Sequence, residues 1–259
     1  MNSQILAGIV LGVVVAAASY VVRFLTLSGA ITAAGLATIV YGAGEWKWTV
    51  PILIFFLLSS LLSRIGRTKK KRFDSIFEKS STRDYGQVLA NGGVGGIVAF
   101  FQLVFPSIDF YPMFVGSIAA VTADTWGTEL GLLGKGKTLS VVTLMQVDRG
   151  TSGGVSLLGL LGGALGAFVI ALTSNGWAPG IGWLIRIAAA GTAASLVDSF
   201  LGATLQAEYE CVVCGRTTER VVHCGMPSKL IRGRPFVNND AVNWACAFAG
   251  AIIATLVAS

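Results

Sequence analysis

Charged residues are scarce in this sequence. Asp, Glu, Lys and Arg make up 12% of its 259 residues, which is about half the share typical of soluble domains. Apolar residues make up 54% and form long runs, among them 5–22, 85–105, 153–173 and 241–258. Each run is close to the roughly 20 residues that cross a bilayer as a helix. The scarcity of charge excludes a water-soluble enzyme and predicts a multi-pass integral membrane protein.

Long polar stretches are also lacking. The two longest, 64–84 and 207–239, hold only about 20 and 30 residues, which is too few for a separate soluble catalytic domain. We therefore treat residues 1–259 as one membrane domain with a basic loop at 64–84 and a Cys/His loop at 207–239. Any chemistry must then be built from helix ends and short loops.

Hydropathy predicts an all-α fold of eight transmembrane helices. Their ranges are 4–23, 28–44, 49–63, 85–105, 112–131, 153–174, 181–206 and 240–258. The second and third are short, so a count of seven helices stays open. The first is interpreted as a helix and not as a signal peptide, because it lacks the basic start and the small-residue cleavage site of a processed leader.

Basic residues are distributed unevenly among the predicted loops. Eight of them lie between the third and fourth helices: Arg64, Arg67, Lys69, Lys70, Lys71, Arg72, Lys79 and Arg83. Because Lys and Arg are enriched on the cytoplasmic side of membrane proteins, this loop is predicted to be cytoplasmic. Alternation of the helices then brings nearly all of the 19 basic residues to that side. The net charge of +6 is therefore interpreted as topology and attraction to anionic lipid headgroups, not as nucleic-acid binding.

Four acidic residues lie within or at the edge of apolar segments: Asp124, Glu129, Asp198 and Asp240. Ionisable groups at such depth are costly, and by default they indicate a functional site. The alternative is a carboxylate paired with a buried cation or hydrogen-bonded to neighbouring helices. Arg186 lies about 18 Å along the same helix from Asp198, so it cannot neutralise that residue directly.

An internal repeat surrounds two of these acids. Residues 119–126 and 193–200 both read A-A-x-x-x-D-[ST]-aromatic, so Asp124 and Asp198 are predicted at similar depths on two helices that run in the same direction. Two facing carboxylates repel each other unless a cation lies between them. Mg²⁺ accepts one or two carboxylates and completes its shell with water and phosphates. A chance match between two Ala-rich helices is the alternative.

Two further polar residues are assigned to the same cytoplasmic cavity. Glu129 lies five residues after Asp124 and therefore on a different helix face. It reaches the site only if the helix loosens near Gly127, or else it serves a neighbouring position. Asn91 precedes four glycines of the fourth helix, which are typical of close helix packing. Its amide is predicted to point into the cavity.

Two glycine-rich loops are candidates for phosphate binding. The first, residues 131–138, satisfies the pattern G-x-x-x-x-G-K-[ST]. A P-loop, however, joins a buried strand to a helix, and no room remains here for a parallel sheet. Lys135 and Lys137 are still predicted to approach phosphate oxygens. The alternative is an ordinary positively charged helix flank.

The second loop, residues 148–156, is predicted to open the sixth helix. Its glycines leave backbone N–H groups accessible, its hydroxyls are donors, and a helix N-terminus favours anions. The residues assigned to phosphate contact are Arg149, Gly150, Thr151, Ser152 and Gly153. Asn239 joins them from the cap-type cluster at the start of the eighth helix, where Asp240 is predicted to hold a metal-bound water.

Cysteine and histidine are rare, and they are clustered. Three of the four cysteines lie with the only histidine in the Cys/His loop, as Cys211-x-x-Cys214 and then His223-Cys224. These soft ligands are typical of a structural zinc site, and a reducing cytoplasm disfavours a disulfide. Because His223 and Cys224 are adjacent, they are poorly spaced for binding one tetrahedral ion. A zinc site and free thiols therefore both stay open.

Three motifs in this order resemble the transmembrane-protein-19 family: ADTWGTELG at 123–131, GTSGGVS at 150–156 and NDAVN at 239–243. That family includes phytyl-phosphate kinase of plants and cyanobacteria and is related to polyprenol kinases. The resemblance covers most of the chain. It implies an integral membrane enzyme that moves a phosphoryl group from a nucleoside triphosphate, often CTP, to an isoprenyl phosphate.

The residue pattern agrees with that reaction, because phosphoryl transfer depends on positioning and charge neutralisation more than on covalent chemistry. Asp124 and Asp198 would hold Mg²⁺, while Glu129 and Asp240 would hold its waters or a second ion. The prenyl chain would lie between helices among membrane lipids. The rival hypotheses are a nucleotidyltransferase that makes a CDP-lipid and a membrane transporter of an anionic substrate. The nucleotide, the prenyl chain and the oligomeric state, monomer or homodimer, stay open.

Overall fold

The computed structural model describes residues 3–66, 70, 73, 76–79, 82–174, 176 and 180–258. These residues are mostly helical, which confirms the predicted all-α fold class. The helices are α1 (Ser3–Val21), α2 (Leu27–Arg64), α3 (Tyr85–Val104), α4 (Tyr111–Leu133), α5 (Leu157–Ser174), α6 (Gly180–Thr204) and α7 (Asn239–Ala258).

Helix α2 is a helical hairpin and comprises the second and third predicted helices. Its backbone leaves helical geometry at Gly44 (φ −177°, ψ 37°) and at Glu45 (φ 50°, ψ −132°). The two halves lie side by side, because Leu36 of the first and Ile52 of the second both lie next to Gly92 of α3. The described residues therefore contain eight helical segments, as hydropathy predicts.

Of the helices in the described ranges, α1, α2, α3, α5, α6 and α7 are long and apolar enough to cross a membrane. Helix α4 differs because it lies at the centre of the bundle, in contact with α2, α3, α5, α6 and α7. Its residues from Phe114 to Ala123 are all buried. Since its neighbours shield it from lipid, α4 can carry polar residues such as Asp124 that would be costly on a lipid-facing helix.

Small residues let the other helices approach α4 closely. A side chain at Gly116 would overlap Ala254 of α7, and one at Gly163 of α5 would lie 2.9 Å from the Ala123 carbonyl oxygen. Close van der Waals packing of this kind drives helix association in lipid, where the hydrophobic effect between helices is weak. The central position of α4 thus follows from glycine and alanine at its contacts.

Short strands form in the two longest loops that the structure describes, a feature that hydropathy does not predict. Between α4 and α5, an antiparallel sheet in the order β2-β1-β3 contains β1 (Thr138–Ser140), β2 (Gln146–Val147) and β3 (Gly154–Ser156). The Cys/His loop contains β4 (Glu208–Glu210), β5 (Thr217–Thr218), β6 (Val222–His223), β7 (Met226–Pro227) and β8 (Lys229–Arg232). Their order is β5-β4-β8, with β6 and β7 as a separate hairpin.

The polar loops gather at one end of the bundle, which we call the loop end. Arg220 donates from Nε to the Phe77 carbonyl (2.9 Å), and Arg232 donates to the Ala203 carbonyl near the end of α6. This arrangement agrees with alternation of the predicted helices, and the cytoplasmic location of the loop end stays a prediction. Four residues of the basic loop lie outside the described residues: Arg67, Lys69, Lys71 and Arg72.

Candidate active site

Asp124 of α4 and Asp198 of α6 lie side by side near the loop end. Their carboxyl groups lie close enough to interact with each other, and both side chains line one cavity of about 130 Å³ that opens to solvent. The two helices pack closely, since a side chain at Gly191 would lie 3.0 Å from the Ala119 carbonyl oxygen. The structure thus brings together the two acids of the internal repeat.

One oxygen of this acid pair is left without a partner. Among the described residues, Asp198 Oδ2 is buried and makes no hydrogen bond. Nearby hydroxyls are engaged elsewhere: Ser199 Oγ donates to the Ser195 carbonyl (3.2 Å), and Thr125 Oγ1 donates to the Val121 carbonyl (2.8 Å). An unsatisfied buried acceptor costs stability, so the pair suits a ligand that supplies positive charge or a donor.

The 148–156 loop forms a second wall of the cavity, where Arg149, Gly150, Thr151 and Ser152 are all lining residues. Gly153 seats this loop on α6. Its φ is +78°, and a side chain there would lie 2.6 Å from the Ser199 carbonyl oxygen. Only glycine meets both conditions without strain, so the loop's position next to Asp198 depends on this residue.

The start of α5 corrects one sequence expectation. The helix was predicted to begin at 153, but it begins at Leu157, after strand β3. Ser156 caps it, since its Oγ accepts a hydrogen bond from the Gly159 amide (3.1 Å). The donors of Thr151 and Ser152 therefore belong to a turn that precedes a strand, because β1 pairs with residues 154–156 and draws them out of the helix.

Glu219 is a cavity residue that sequence reasoning did not find. Its Oε1 accepts hydrogen bonds from Ser152 Oγ (3.0 Å) and Gln206 Nε2 (2.8 Å), and it lines the same cavity as Asp124. Desolvation by burial raises the pKa of its carboxyl, despite these bonds and one from the Glu78 amide. In the sequence it is one acid in a polar loop, and no pattern marks it.

Asn239 lines the cavity at the start of α7, while its neighbour Asp240 lies in an ion-pair cluster with Lys79 and Asp84. Burial acts to lower the pKa of Lys79, but hydrogen bonds to Asp240 and Asp84 outweigh it and raise that pKa. Asp240 Oδ1 makes no hydrogen bond among the described residues. Asp240 lies beside the cavity and is not one of its lining residues. Its assignment to a metal-bound water stays a prediction.

Besides Asp240, four predicted site residues are not among those that line this cavity. Glu129 forms an ion pair with Lys70 and accepts a hydrogen bond from Ser63 of α2, because the five-residue spacing turns it away from Asp124. The other three are Asn91, Lys135 and Lys137.

The positions of these three residues have simple causes. Asn91 donates to the Gln87 carbonyl (2.9 Å) and faces an apolar cavity between α1, α2 and α3. Lys135 and Lys137 are exposed on the turn before β1. Because Thr138 pairs with Val147 and Ser156 in an antiparallel sheet, this turn does not have the strand-to-helix geometry of a P-loop.

The four Cys and His residues of the Cys/His loop come together in the structure. One ligand atom from each of Cys211, Cys214, His223 and Cys224 lies within 4.8 Å of all the others. The His223 Nδ1 atom is 3.6 Å from Cys214 Sγ and 3.2 Å from Cys224 Sγ. All four lie at the loop end, in the same loop as Glu219.

Comparisons with known proteins agree with this architecture. The family described as "Integral membrane protein DUF92" matches residues 10–251. Protein PGR of Arabidopsis thaliana is 29% identical over 267 positions, which cover 93% of this chain and 91% of the relative. The uncharacterized membrane protein MJ0933 of Methanocaldococcus jannaschii is 31% identical, with 82% and 76% covered.

A more distant relative is Protein VTE6, chloroplastic, of Arabidopsis thaliana, which is 24% identical over 90% of this chain and 65% of its own length. No solved structure matches the chain. The family match extends over nearly the whole sequence and confirms the resemblance to the transmembrane-protein-19 family. The protein therefore belongs to the DUF92 family of integral membrane proteins.

Proposed function

We propose that the protein is a membrane-embedded isoprenyl-phosphate kinase that converts phytyl or geranylgeranyl phosphate to the diphosphate. The phosphoryl donor is a nucleoside triphosphate, with CTP favoured by the family resemblance, and the reaction requires Mg²⁺. The observation that carries the proposal is one cavity in which the Asp124–Asp198 pair adjoins the donor-rich 148–156 loop. The opening of that cavity between helices suits a lipid substrate.

The acid pair fits a magnesium ion. Its donors are all oxygens, the two carboxyl groups are close enough to share one ion, and Asp198 Oδ2 has no partner among the described residues. Mg²⁺ prefers such hard oxygen ligands and takes the rest of its shell from water and phosphates. When bound, the ion would neutralise negative charge on the phosphates.

The 148–156 loop is suited to hold the phosphates themselves. Arg149 contributes a guanidinium to the lining of this cavity, and charge-assisted bonds from Arg to phosphate are strong. Thr151 adds a hydroxyl donor, and the glycines leave backbone N–H groups open to anions. The Ser152 hydroxyl donates its single proton to Glu219, so this side chain holds the loop in place and does not itself donate to a phosphate.

The acceptor lipid can enter from the side. Leu160 of α5 and Leu196 of α6 both line the cavity, yet 38% and 39% of their surfaces are exposed. The proposed opening for the prenyl chain is therefore on the side of the cavity where α5 and α6 meet. A prenyl chain can lie in this opening while its phosphate remains beside Asp124 and Asp198.

The transfer needs little covalent help from the protein. An anionic oxygen of the prenyl phosphate attacks the γ-phosphorus, the bond from that phosphorus to the β-phosphate oxygen breaks, and the nucleoside diphosphate leaves. Because a phosphate monoester is already ionised near neutral pH, no general base is required. The residues of the cavity act by positioning and by charge neutralisation.

The test follows the fate of the phosphates. Purified protein is incubated with phytyl phosphate, Mg²⁺ and nucleotide labelled in the γ-phosphate. We expect label in phytyl diphosphate and release of the nucleoside diphosphate, with CTP compared against ATP. Release of pyrophosphate with the nucleoside retained in the lipid would show a nucleotidyltransferase instead. Absence of any product, together with uptake of an anion into proteoliposomes, would show a transporter.

A further inference from the structure

The Cys/His loop holds its four candidate ligands by means of two tight turns. After Cys214, Gly215 adopts φ +67°, and its amide donates to the Cys211 carbonyl (2.9 Å). The hairpin of β6 and β7 turns at Cys224 (φ +52°) and Gly225 (φ +78°). Two consecutive positive φ angles are typical of a tight hairpin turn.

This turn explains how adjacent residues can face one ion. In an extended strand, neighbouring side chains point in opposite directions. The left-handed conformation of Cys224 instead brings its Sγ to 3.2 Å from the His223 ring. The adjacency that looks awkward in the sequence is therefore no obstacle in the folded loop.

The spacing of the ligand atoms also suits a metal. With zinc–sulfur bonds of about 2.3 Å and zinc–nitrogen bonds of about 2.0 Å, tetrahedral geometry places ligand atoms about 3.5–3.8 Å apart. All four atoms already lie within 4.8 Å of one another. Binding would require the longest of these separations to shorten by about 1 Å, which side-chain rotation can supply.

We infer that Cys211, Cys214, His223 and Cys224 bind one structural zinc ion. Three thiolates and one imidazole select zinc over Mg²⁺, which prefers oxygen ligands. A full set of four protein ligands leaves no open position for chemistry. The four described cysteines are free of disulfides, so the three in this loop are available as ligands.

The site would fix the wall of the cavity that contains Glu219. This residue lies between the two ligand pairs, and its amide donates to the Ile76 carbonyl (2.8 Å). Thr218 Oγ1 donates to the same carbonyl (3.0 Å). Joining the two turns through zinc shortens the free loop and holds Glu219 against Ser152. The metal site itself does not depend on the proposed kinase activity.

The first experiment measures metal content. Full-length protein without a polyhistidine tag is purified in detergent, and zinc is quantified by mass spectrometry. We expect about one zinc per chain, with loss of zinc in the double variant Cys211→Ser, Cys214→Ser. Cys246→Ala is the matched control, because Cys246 is buried in α7 outside this cluster. The control should keep its zinc.

Cobalt substitution identifies the ligands independently of activity. Exchange of zinc for Co²⁺ should give the thiolate charge-transfer absorption and intense visible bands of a tetrahedral site. Wild-type protein that is metal-free and gives no such bands would overturn the inference, even if the double variant failed to fold. Zinc retained at full occupancy by a folded double variant would also overturn it.

Discussion

Ser152 Oγ donates a 3.0 Å hydrogen bond to Glu219 Oε1 and so joins the 148–156 loop to the Cys/His loop. Gln206, at the end of α6, donates to the same carboxylate oxygen. Three segments separated in the chain thereby form one wall beside Asp198. Because each segment is short and polar, this network, more than apolar burial, sets the shape of the cavity at the loop end.

The acid pair gives the sharpest functional prediction. Asp124→Asn and Asp198→Asn should each lower kcat by about 100-fold or more, since each removes a charged oxygen from the proposed site of phosphoryl transfer. Both proteins should remain folded, because a neutral amide is less costly than a carboxylate at this depth. Mg²⁺-dependent turnover and size-exclusion profiles would be measured side by side.

Asp109→Asn is the matched control for these variants. Asp109 is an exposed carboxylate just before α4, at the opposite end of that helix from Asp124. The Asp109→Asn substitution makes the same chemical change outside the cavity, and the variant should retain wild-type turnover. Near-normal activity of Asp124→Asn would contradict the metal-binding role of the pair.

The packing of the 148–156 loop against α6 can be tested at Gly153. Gly153→Ala should destabilise the protein by about 1–3 kcal/mol, because it combines an unfavourable φ with contact to Ala203 and the Ser199 carbonyl. Thermal unfolding in detergent would measure the loss. Gly136→Ala is the control, since no atom lies within 4 Å of the added carbon. Equal melting temperatures for the two variants would refute this account of the loop.

The raised pKa of Glu219 predicts that the stability of the protein depends on pH. Because burial raises its pKa above the ordinary value of 4.5, the folded protein binds this proton more tightly than the unfolded chain does. Its contribution to stability is therefore full below pH 4.5 and is lost as the pH rises through the raised pKa. Glu219→Gln should remove this component of the decline in melting temperature.

The matched control for that series is Glu210→Gln, which alters an exposed carboxylate on β4. Melting temperatures of both variants and the wild type would be recorded in steps from pH 4.5 to neutrality. The Glu210→Gln protein should follow the wild-type curve. A Glu219→Gln curve parallel to the wild type would rule out proton uptake at Glu219.

Topology yields a prediction about labelling in intact cells. Lys137→Cys lies on an exposed turn at the loop end, and Ser107→Cys lies on an exposed turn between α3 and α4 at the other end. If the loop end is cytoplasmic, a membrane-impermeant maleimide should label position 107 and not 137 until the cells are lysed. Labelling of position 137 in intact cells would invert the predicted orientation.

Much of the architecture follows from local sequence properties. Apolar runs of membrane-spanning length predict eight helical segments, and the break at Gly44 and Glu45 divides the 38 residues of α2 into the second and third of them. The repeat predicts that Asp124 and Asp198 lie at one depth. The CxxC and His-Cys spacing indicates four candidate ligands in the Cys/His loop. In each case a period or a spacing along the chain determines the geometry.

Other features depend on contacts between distant segments. Hydropathy contains no signal for the strands at 138–140 and 154–156, because each is stabilised by its partner across the loop and not by its own composition. For the same reason the start of α5 and the exposed position of Lys137 were not predictable. Glu129 pairs with Lys70, which also donates to the Leu62 carbonyl of α2, and only the packed bundle specifies that α2 lies on that side of α4.

The sequence by itself determined the membrane fold, the paired acids and the metal-ligand spacing, because helix periodicity and hydropathy act within one segment. The tertiary structure alone decided which polar groups share a cavity. Glu219 became a partner of Ser152 through a contact across 67 residues, and Asn91 was separated from the acids by the packing of α3 against α2. Such contacts depend on how small residues let helices approach one another, and no local pattern specifies that outcome.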